Sequence, residues 1–182
     1  MANFFISDMH FNHSSTIDKF EFRPFKDTKD MNDKLIKNWN ERVKENDTVY
    51  HIGDFCWKGN WKQWRNQLNG EVVFLRGNHD KSNNFIQTHA ILEFGNKVVL
   101  LQHIPPFMKA EIPDMCDFVL CGHVHSLWKH IWIEDTPIIN CSVELWNYRP
   151  ISAKEILAYY DKIIRDNTEI QNMINGGNGN DE

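Results

Sequence analysis

The stretch Glu-Val-Val-Phe-Leu-Arg-Gly-Asn-His-Asp occupies residues 71–80. Its first half is rich in branched and aromatic side chains and predicts a β-strand over residues 71–75. A glycine then allows a tight turn, which carries Asn78, His79 and Asp80. Because these polar side chains follow a strand directly, they lie on a loop that a rigid sheet can hold in place. The stretch therefore predicts a chemical site at the edge of a β-sheet.

Four more polar motifs follow predicted strands in the same way. The strands cover residues 3–7, 48–52, 97–102 and 118–121. The motifs that follow them are, in chain order, Asp8-Met9-His10, Gly53-Asp54, the isolated His103, and Gly122-His123-Val124-His125. Any one of them alone is typical of a cap or a hydrogen-bonded surface group. Their common position at strand ends indicates instead that the fold assembles them into one site.

Helical patterns alternate with these strands and predict an α/β protein. A first helix begins at Asp27 or Thr28 and carries apolar residues at helical spacing up to Val43. A tryptophan repeat, Trp57, Trp61 and Trp64, predicts a second helix, and Ser152 can cap a last helix that runs to about residue 165. Hairpins are predicted over residues 91–102 and 131–140. We expect a single domain over residues 1–166 and a disordered polar tail over residues 167–182.

Composition restricts the functions that the chain can have. It has 182 residues, of which 41% are hydrophobic, and a formal charge of -5, with no run of Lys and Arg. A nucleic-acid partner is therefore disfavoured. The four cysteines form neither a CxxC pair nor a disulfide pattern, and no apolar run approaches the roughly 20 residues of a membrane span. We expect a soluble cytoplasmic protein without a membrane partner, and its oligomeric state stays open.

The side chains of the five motifs are of types that bind divalent metal ions. Imidazole, carboxylate and carboxamide groups occur together without a thiolate. This set of ligands suits Mn²⁺, Fe²⁺, Zn²⁺ or Ni²⁺ in a five- or six-coordinate site better than it suits a structural zinc site of the cysteine type. Histidine and asparagine ligate as neutral groups, so two dications beside two aspartates keep an excess positive charge. A net-acidic protein can thus still attract phosphate.

As an ordered set, the motifs resemble the calcineurin-like metallophosphoesterase family. Phe11-Asn12-His13 and Arg23-Pro24-Phe25 are similar to a small bacterial or phage branch of it. The resemblance implies a four-layer αββα sandwich of two mixed sheets flanked by helices. It also implies two divalent ions per chain, with Mn²⁺ favoured and Fe, Ni, Zn or Mg as alternatives. The implied ligands are Asp8, His10 and His125 for one ion, Asn78, His103 and His123 for the other, and Asp54 as a bridge between them.

The same resemblance implies direct phosphoester hydrolysis. A hydroxide bridging the two ions attacks phosphorus in line, His79 protonates the leaving group as general acid, and Asp80 orients His79. Three further residues are candidate substrate contacts: His13, Arg23 and Trp57. His13 also fits a role in supporting the ligands, and His51 is interpreted as a satisfied core histidine.

The substrate class remains open between several hypotheses. We expect a phosphodiesterase or phosphatase that acts on a small phosphorylated molecule or nucleotide. The alternatives are a non-catalytic protein-binding scaffold with the same fold, or a nuclease. Retention of His79 and of every ligand position favours the enzyme, whereas the sequence has no basic track for a nuclease.

Overall fold

Two mixed β-sheets form the framework of the protein in a computed structural model that describes residues 1–81, 85 and 87–176. The first sheet has the strand order β3-β2-β1-β9, and the second has the order β4-β5-β6-β8-β7. The strands are β1 (Asn3–Ile6), β2 (Thr48–Ile52), β3 (Glu71–Leu75), β4 (His89–Phe94), β5 (Lys97–Gln102), β6 (Phe118–Cys121), β7 (His130–Ile133), β8 (Thr136–Asn140) and β9 (Ile151–Ser152). The motif-bearing strands are thus placed as their patterns predict.

Parallel pairing brings the carboxyl ends of the central strands to common edges. In the first sheet β1, β2 and β3 are parallel, and in the second β5, β6 and β8 are parallel. The two sheets meet just beyond β1 and β8, where the Ser7 amide donates to the Cys141 carbonyl over 3.0 Å. Both sets of strand ends therefore open toward the same region, and all five motifs lie there.

The helices pack beside the sheets. They are α1 (Ser15–Asp18), α2 (Thr28–Arg42), α3 (Trp61–Arg65) and α4 (Ala153–Gly176). Asp27 caps α2, as predicted, because its carboxylate accepts from the Asp30 amide over 2.8 Å. Across the part of the chain that the structure describes, every helix is too short or too polar to cross a membrane.

Three buried clusters separate the layers. The first lies between the first sheet and α2, and it is centred on residues such as Phe4, Leu35 and Trp39. The second joins the inner faces of both sheets to α4, and the third lies on the outer face of the second sheet beneath a 3₁₀ segment, Lys109–Glu111. The predicted arrangement of two mixed sheets flanked by helices is confirmed.

Two local predictions are wrong. Trp57 is not helical, because Gly59 adopts a φ of 96° and Asn60 starts α3 by capping the Lys62 amide. The tail predicted as disordered is helical as far as Gly176, since α4 continues without Pro or internal Gly and carries an i,i+4 pair between Lys162 and Asp166. Residues 177–182 of that predicted tail lie outside the described residues.

Candidate metal centre

Side chains from the β1 and β6 loops converge on a first potential cation position. The donor atoms of Asp8, His10 and His125 lie within 4.8 Å of one another. His10 Nε2 is 3.9 Å from Asp8 Oδ1, and His125 Nε2 is 3.8 Å from the same oxygen. We call these three residues the first cation group.

A second set of donors lies beside the first and comes from the β3, β5 and β6 loops. Asn78 Oδ1 is 3.0 Å from His103 Nε2 and 2.9 Å from His123 Nδ1. We call Asn78, His103 and His123 the second cation group. Asp54 lies between the two groups, because its Oδ2 is 3.5 Å from His10 Nε2 and 3.2 Å from His103 Nε2. The structure therefore brings all seven predicted ligands together, with Asp54 between the two groups.

The donor set fits divalent ions. Bonds of about 2.1 Å to one ion put neighbouring donors about 3 Å apart, which matches the 2.9 and 3.0 Å in the second group, whereas the donor pairs of the first group are wider, at 3.8 and 3.9 Å. His10 Nε2 is buried and has no hydrogen-bond partner among the described residues. A buried orphan nitrogen costs roughly 1–3 kcal/mol unless a ligand binds it. Burial also lowers the pKa of His10 well below its usual value, so the lone pair is free to bind a cation.

The ionised carboxylate of Asp54, which lies between the two cation groups, favours the binding of a cation. Burial opposes ionisation of Asp54, yet His103, His10 and the His79 amide hold the pKa of its carboxyl well below the usual range. Burial likewise opposes protonation of His103, but Asp54 and Asp8 raise the pKa of His103 to about 9. His103 Nδ1 donates to the Ile52 carbonyl over 2.8 Å, which directs Nε2 toward the second cation group.

The ligand loops hold their backbone in a strained conformation. Five of the predicted ligands have left-handed φ angles between 47° and 73°: Asp8, His10, Asp54, His123 and His125. Each such residue costs of order 1–2 kcal/mol relative to a right-handed conformation. This concentration of strain at one edge of the sheets indicates that the loops are shaped by function rather than by stability.

Close backbone approach explains two of the motif glycines. A Cβ atom on Gly77 would overlap the carboxylate and amide of Asp54. A Cβ atom on Gly122 would lie 2.5 Å from both Asp8 Oδ2 and Ser7 Oγ. Glycine at these two positions therefore lets the β3 loop approach Asp54 and the β6 loop approach Asp8.

His13 and Trp57 lie together beside the first cation group. The two rings are parallel, with an interplanar angle of 1° and centroids 4.0 Å apart. His13 Nδ1 is 3.1 Å from His10 Nδ1, and burial followed by the nearby His79 lowers the pKa of His13 to about 4. A neutral His13 can accept a hydrogen bond from His10 and so turn His10 Nε2 toward the carboxylates. Trp57 in turn supports His13.

His79 faces the same space, but Asp80 does not orient it. The His79 ring centroid is 5.4 Å from that of His10 and 5.0 Å from that of Trp57. Both oxygens of Asp80 accept from backbone amides instead: Oδ2 from Asp54 and Gly77, each over 2.8 Å, and Oδ1 from Phe55 over 3.1 Å. The predicted catalytic role of Asp80 is therefore wrong. This buried carboxylate fastens the β2 loop to the β3 loop.

Arg23 is not a substrate contact, which corrects another prediction. Its guanidinium is buried and donates to the carbonyls of Asp8 and Met9 over 2.6 and 2.9 Å. It also forms an ion pair with Glu144 at 2.6 Å. An arginine that is fully engaged inside the protein cannot also bind a substrate phosphate.

Two residues near the centre were missed in the sequence. Glu144 accepts a hydrogen bond from His125 Nδ1 over 2.9 Å, and the Ser142 hydroxyl donates to Asp8 Oδ2 over 2.8 Å. Both follow β8, whose end lies beside the end of β6. The signal that applied to the other motifs, polar residues after an apolar strand, was therefore present here as well.

His51 is buried but not satisfied. Neither ring nitrogen has a hydrogen-bond partner among the described residues, and the ring packs against Phe55 and Phe74 at 5.0 and 5.9 Å. Burial lowers the pKa of His51 to about 3, so the ring is neutral. Its interpretation as a core residue fits this environment, whereas the expected hydrogen bonding is wrong.

A cavity of about 540 Å³ opens over the two cation groups. Its walls include His79, Trp57, Phe20 and Glu21, and its floor includes ligands of both groups. Lys58 and Lys81 line a separate cavity of about 210 Å³ on another side of Trp57 and His79. The central cavity is thus large enough for a small organic molecule, and it places that molecule directly against the predicted ligands.

Comparison with known proteins establishes the family. The calcineurin-like phosphoesterase superfamily domain matches residues 1–141. The chain belongs to the calcineurin-like phosphoesterase superfamily. This phosphoesterase domain is 35% identical over 170 residues to an uncharacterised protein of Methanocaldococcus jannaschii, covering 87% of this chain and 91% of the relative.

Solved structures share the phosphoesterase fold. A protein of unknown function from Aquifex aeolicus is 30% identical with a TM-score of 0.69, and the likeness covers 87% of this chain and 98% of that one. A novel archaeal phosphodiesterase is 19% identical with a TM-score of 0.50, covering 77% of this chain and 82% of that one. The family generally binds divalent metals, and the two cation groups are where this chain could hold them.

Proposed function

We propose that this protein is a dinuclear-metal-dependent phosphoester hydrolase acting on a small phosphorylated molecule, as a phosphodiesterase or a phosphatase. The observation that carries the proposal is the position of Asp54 Oδ2, within 3.5 Å of a histidine in each cation group. One carboxylate oxygen can thereby serve both groups. The cavity above them gives a substrate access to that point.

The seven ligands would hold two divalent ions, with Mn²⁺ favoured and Fe, Ni, Zn or Mg as alternatives. Such ions supply an acidified water as nucleophile and neutralise charge on the phosphoryl oxygens. The protein's own residues fix the donor atoms. His13 orients His10, Ser142 holds Asp8, and the Ile52 carbonyl orients His103.

His79 is the proposed general acid. Its ring lies in the cavity wall, and its backbone amide donates to Asp54 Oδ1 over 2.9 Å, so the loop that carries it is tied to the bridging ligand. The side chain can then donate a proton to the leaving oxygen, which avoids expulsion of an unprotonated alkoxide. A positioned acid of this kind contributes about 10²–10⁴-fold to the rate.

The cavity walls support a small organic phosphoester as the substrate. Phe20 is 66% exposed at the cavity, and the edge of the Trp57 and His13 pair lines it. Among the described lining residues none is Lys or Arg, so a long polyanion would gain little attraction there. A nucleotide or an aryl phosphoester fits this surface better than a nucleic acid. The four cysteines are free thiols, which supports a cytoplasmic site of action.

The proposal is tested by stripping the protein of metal and adding Mn²⁺, Ni²⁺, Zn²⁺ or Mg²⁺ back separately. Hydrolysis of bis-p-nitrophenyl phosphate and of p-nitrophenyl phosphate is then measured. We expect activity that depends on added metal, and the ratio of the two rates distinguishes a diesterase from a monoesterase. Two ions bound per chain without hydrolysis of either compound would favour the protein-binding scaffold instead.

A further inference from the structure

A buried ion pair lies directly behind the first cation group. Arg23 and Glu144 have side chains that are 0% and 6% exposed, and Arg23 Nη2 is 2.6 Å from Glu144 Oε1. Burying two charges costs several kcal/mol per ion, and apolar replacements are often as stable. The ion pair therefore contributes little to the stability of the fold. The residues that Arg23 and Glu144 contact indicate what else the pair does.

On one side the pair contacts the β6 loop. Glu144 Oε1 accepts a hydrogen bond from His125 Nδ1 over 2.9 Å. This bond requires the proton of His125 to be on Nδ1, and it leaves Nε2, 3.8 Å from Asp8 Oδ1, as the donor atom for a cation. Glu144 thus selects both the tautomer and the direction of the ring.

On the other side the pair contacts the β1 loop. Arg23 donates to the backbone carbonyls of Asp8 and Met9, over 2.6 and 2.9 Å. Asp8 and His10 have φ angles of 58° and 50°, so this loop needs outside support to keep its conformation. The Arg23 guanidinium supplies this support. Its Nη atoms bond the loop carbonyls while its Nε bonds Glu144 over 2.9 Å, which holds the guanidinium in place.

We propose that Arg23 and Glu144 are positioning residues that fix the geometry of the first cation group and leave the second group independent. The inference rests on the metal centre of the proposed function. One ion pair connects the loop that carries Asp8 and His10 with the loop that carries His125. In the described part of the chain, neither partner hydrogen-bonds a side chain of the second cation group.

The test measures cation affinity rather than activity. Metal-stripped wild type, Glu144→Gln and Arg23→Met are titrated with Mn²⁺ by calorimetry. His10→Ala, which removes a ligand of the first group, and His123→Ala, which removes one of the second, assign the two binding events. We expect both positioning variants to weaken the first event by about 10–100-fold and to leave the second unchanged. Arg23→Lys keeps the charge but not the fork of donors, and should restore the affinity only in part.

A second Arg–Glu pair provides the matched control. Arg42 bonds Glu155 between α2 and α4, with side chains 22% and 38% exposed. Arg42→Met and Glu155→Gln should lower the melting temperature without changing either Mn²⁺ affinity. Equal weakening of both events in Glu144→Gln and Arg23→Met would overturn the inference, because it would indicate a general loss of structure. Unchanged affinities, or a wild type that binds no divalent cation, would overturn it too.

Failure of the inference is distinguishable from failure of the proposed function. A wild type that binds two Mn²⁺ and hydrolyses no phosphoester would contradict the enzymatic proposal, while a selective effect of Glu144→Gln on the first event would still support the positioning role. Conversely, an active enzyme whose first event is insensitive to both variants would retain the function and exclude the role.

Discussion

Asp54 Oδ2 lies 3.2 Å from His103 Nε2, with both side chains only 2% exposed. The same oxygen is 3.5 Å from His10 Nε2 in the first cation group, so Asp54 faces a histidine of each group. We expect Asp54→Asn to weaken both Mn²⁺ binding events and to reduce kcat/KM by about 10³-fold or more, since several kcal/mol of charge stabilisation are lost. Calorimetry and turnover on the same preparation check this. Normal activity in the variant would contradict the bridging role.

His79→Asn should separate catalysis from cation binding. The ring lies in the cavity wall and is not one of the ligands, so Mn²⁺ affinity should stay unchanged. Turnover should fall by about 10²–10⁴-fold for esters of poorly acidic alcohols. The loss should shrink for nitrophenyl esters, whose leaving group needs little protonation. Equal losses for both kinds of ester would argue against a general acid.

Asp80→Asn should act on stability rather than on proton transfer. The asparagine amide nitrogen would face a backbone donor where a carboxylate oxygen now accepts from Asp54, Gly77 or Phe55. We expect the free energy of unfolding to fall by about 2–3 kcal/mol, measured by urea denaturation, and Mn²⁺ binding to weaken as the two loops separate. Asp33→Asn, at an exposed ion pair with Lys29, is the control and should leave the free energy of unfolding nearly unchanged. A normal stability in Asp80→Asn would refute this assignment.

Glu21 should discriminate between monoesters and diesters. Its carboxylate lines the cavity and accepts from the Ser126 hydroxyl over 3.1 Å. A negative charge there repels a dianionic monoester more than a monoanionic diester. Glu21→Gln should therefore raise kcat/KM for p-nitrophenyl phosphate, relative to the bis ester, by about threefold to tenfold. Glu45→Gln, at an exposed position before β2, should leave the ratio unchanged. An unchanged ratio in Glu21→Gln would show that Glu21 does not sense substrate charge.

His51 should make the protein sensitive to acid. Its pKa is about 3 in the folded protein, against 6.5 for an unperturbed histidine, so between these values the unfolded chain binds a proton that the folded chain excludes. The contribution of His51 to the free energy of unfolding is fully present above pH 6.5. It falls as the pH drops toward 3, by up to about 1.4 kcal/mol per pH unit. His51→Phe should flatten this dependence in urea unfolding at a series of pH values. His89→Gln, at an exposed site, is the control and should leave the pH dependence unchanged. Parallel curves of unfolding free energy against pH for His51→Phe and wild type would contradict the prediction.

The strands and the polar motifs that follow them could be read from the sequence because their signals are local. Each apolar run ends in its polar motif, and parallel pairing then brings the motifs to one edge whatever the details of the loops. Glu144 was missed, and Arg23 was assigned to the substrate, because their pairing spans 121 positions and depends on how β8 meets β1. Trp57 was misread because Gly59 interrupts a spacing that otherwise resembles a helix.

The central claim is that the two cation groups form one hydrolytic centre. It is tested most directly by titrating metal-stripped protein with Mn²⁺ and measuring, in the same samples, bound Mn²⁺ and hydrolysis of bis-p-nitrophenyl phosphate. The account predicts that turnover remains at background until the second ion binds, and that it rises with occupancy of that ion. Two bound ions per chain with turnover no higher than in Asp54→Asn would contradict it.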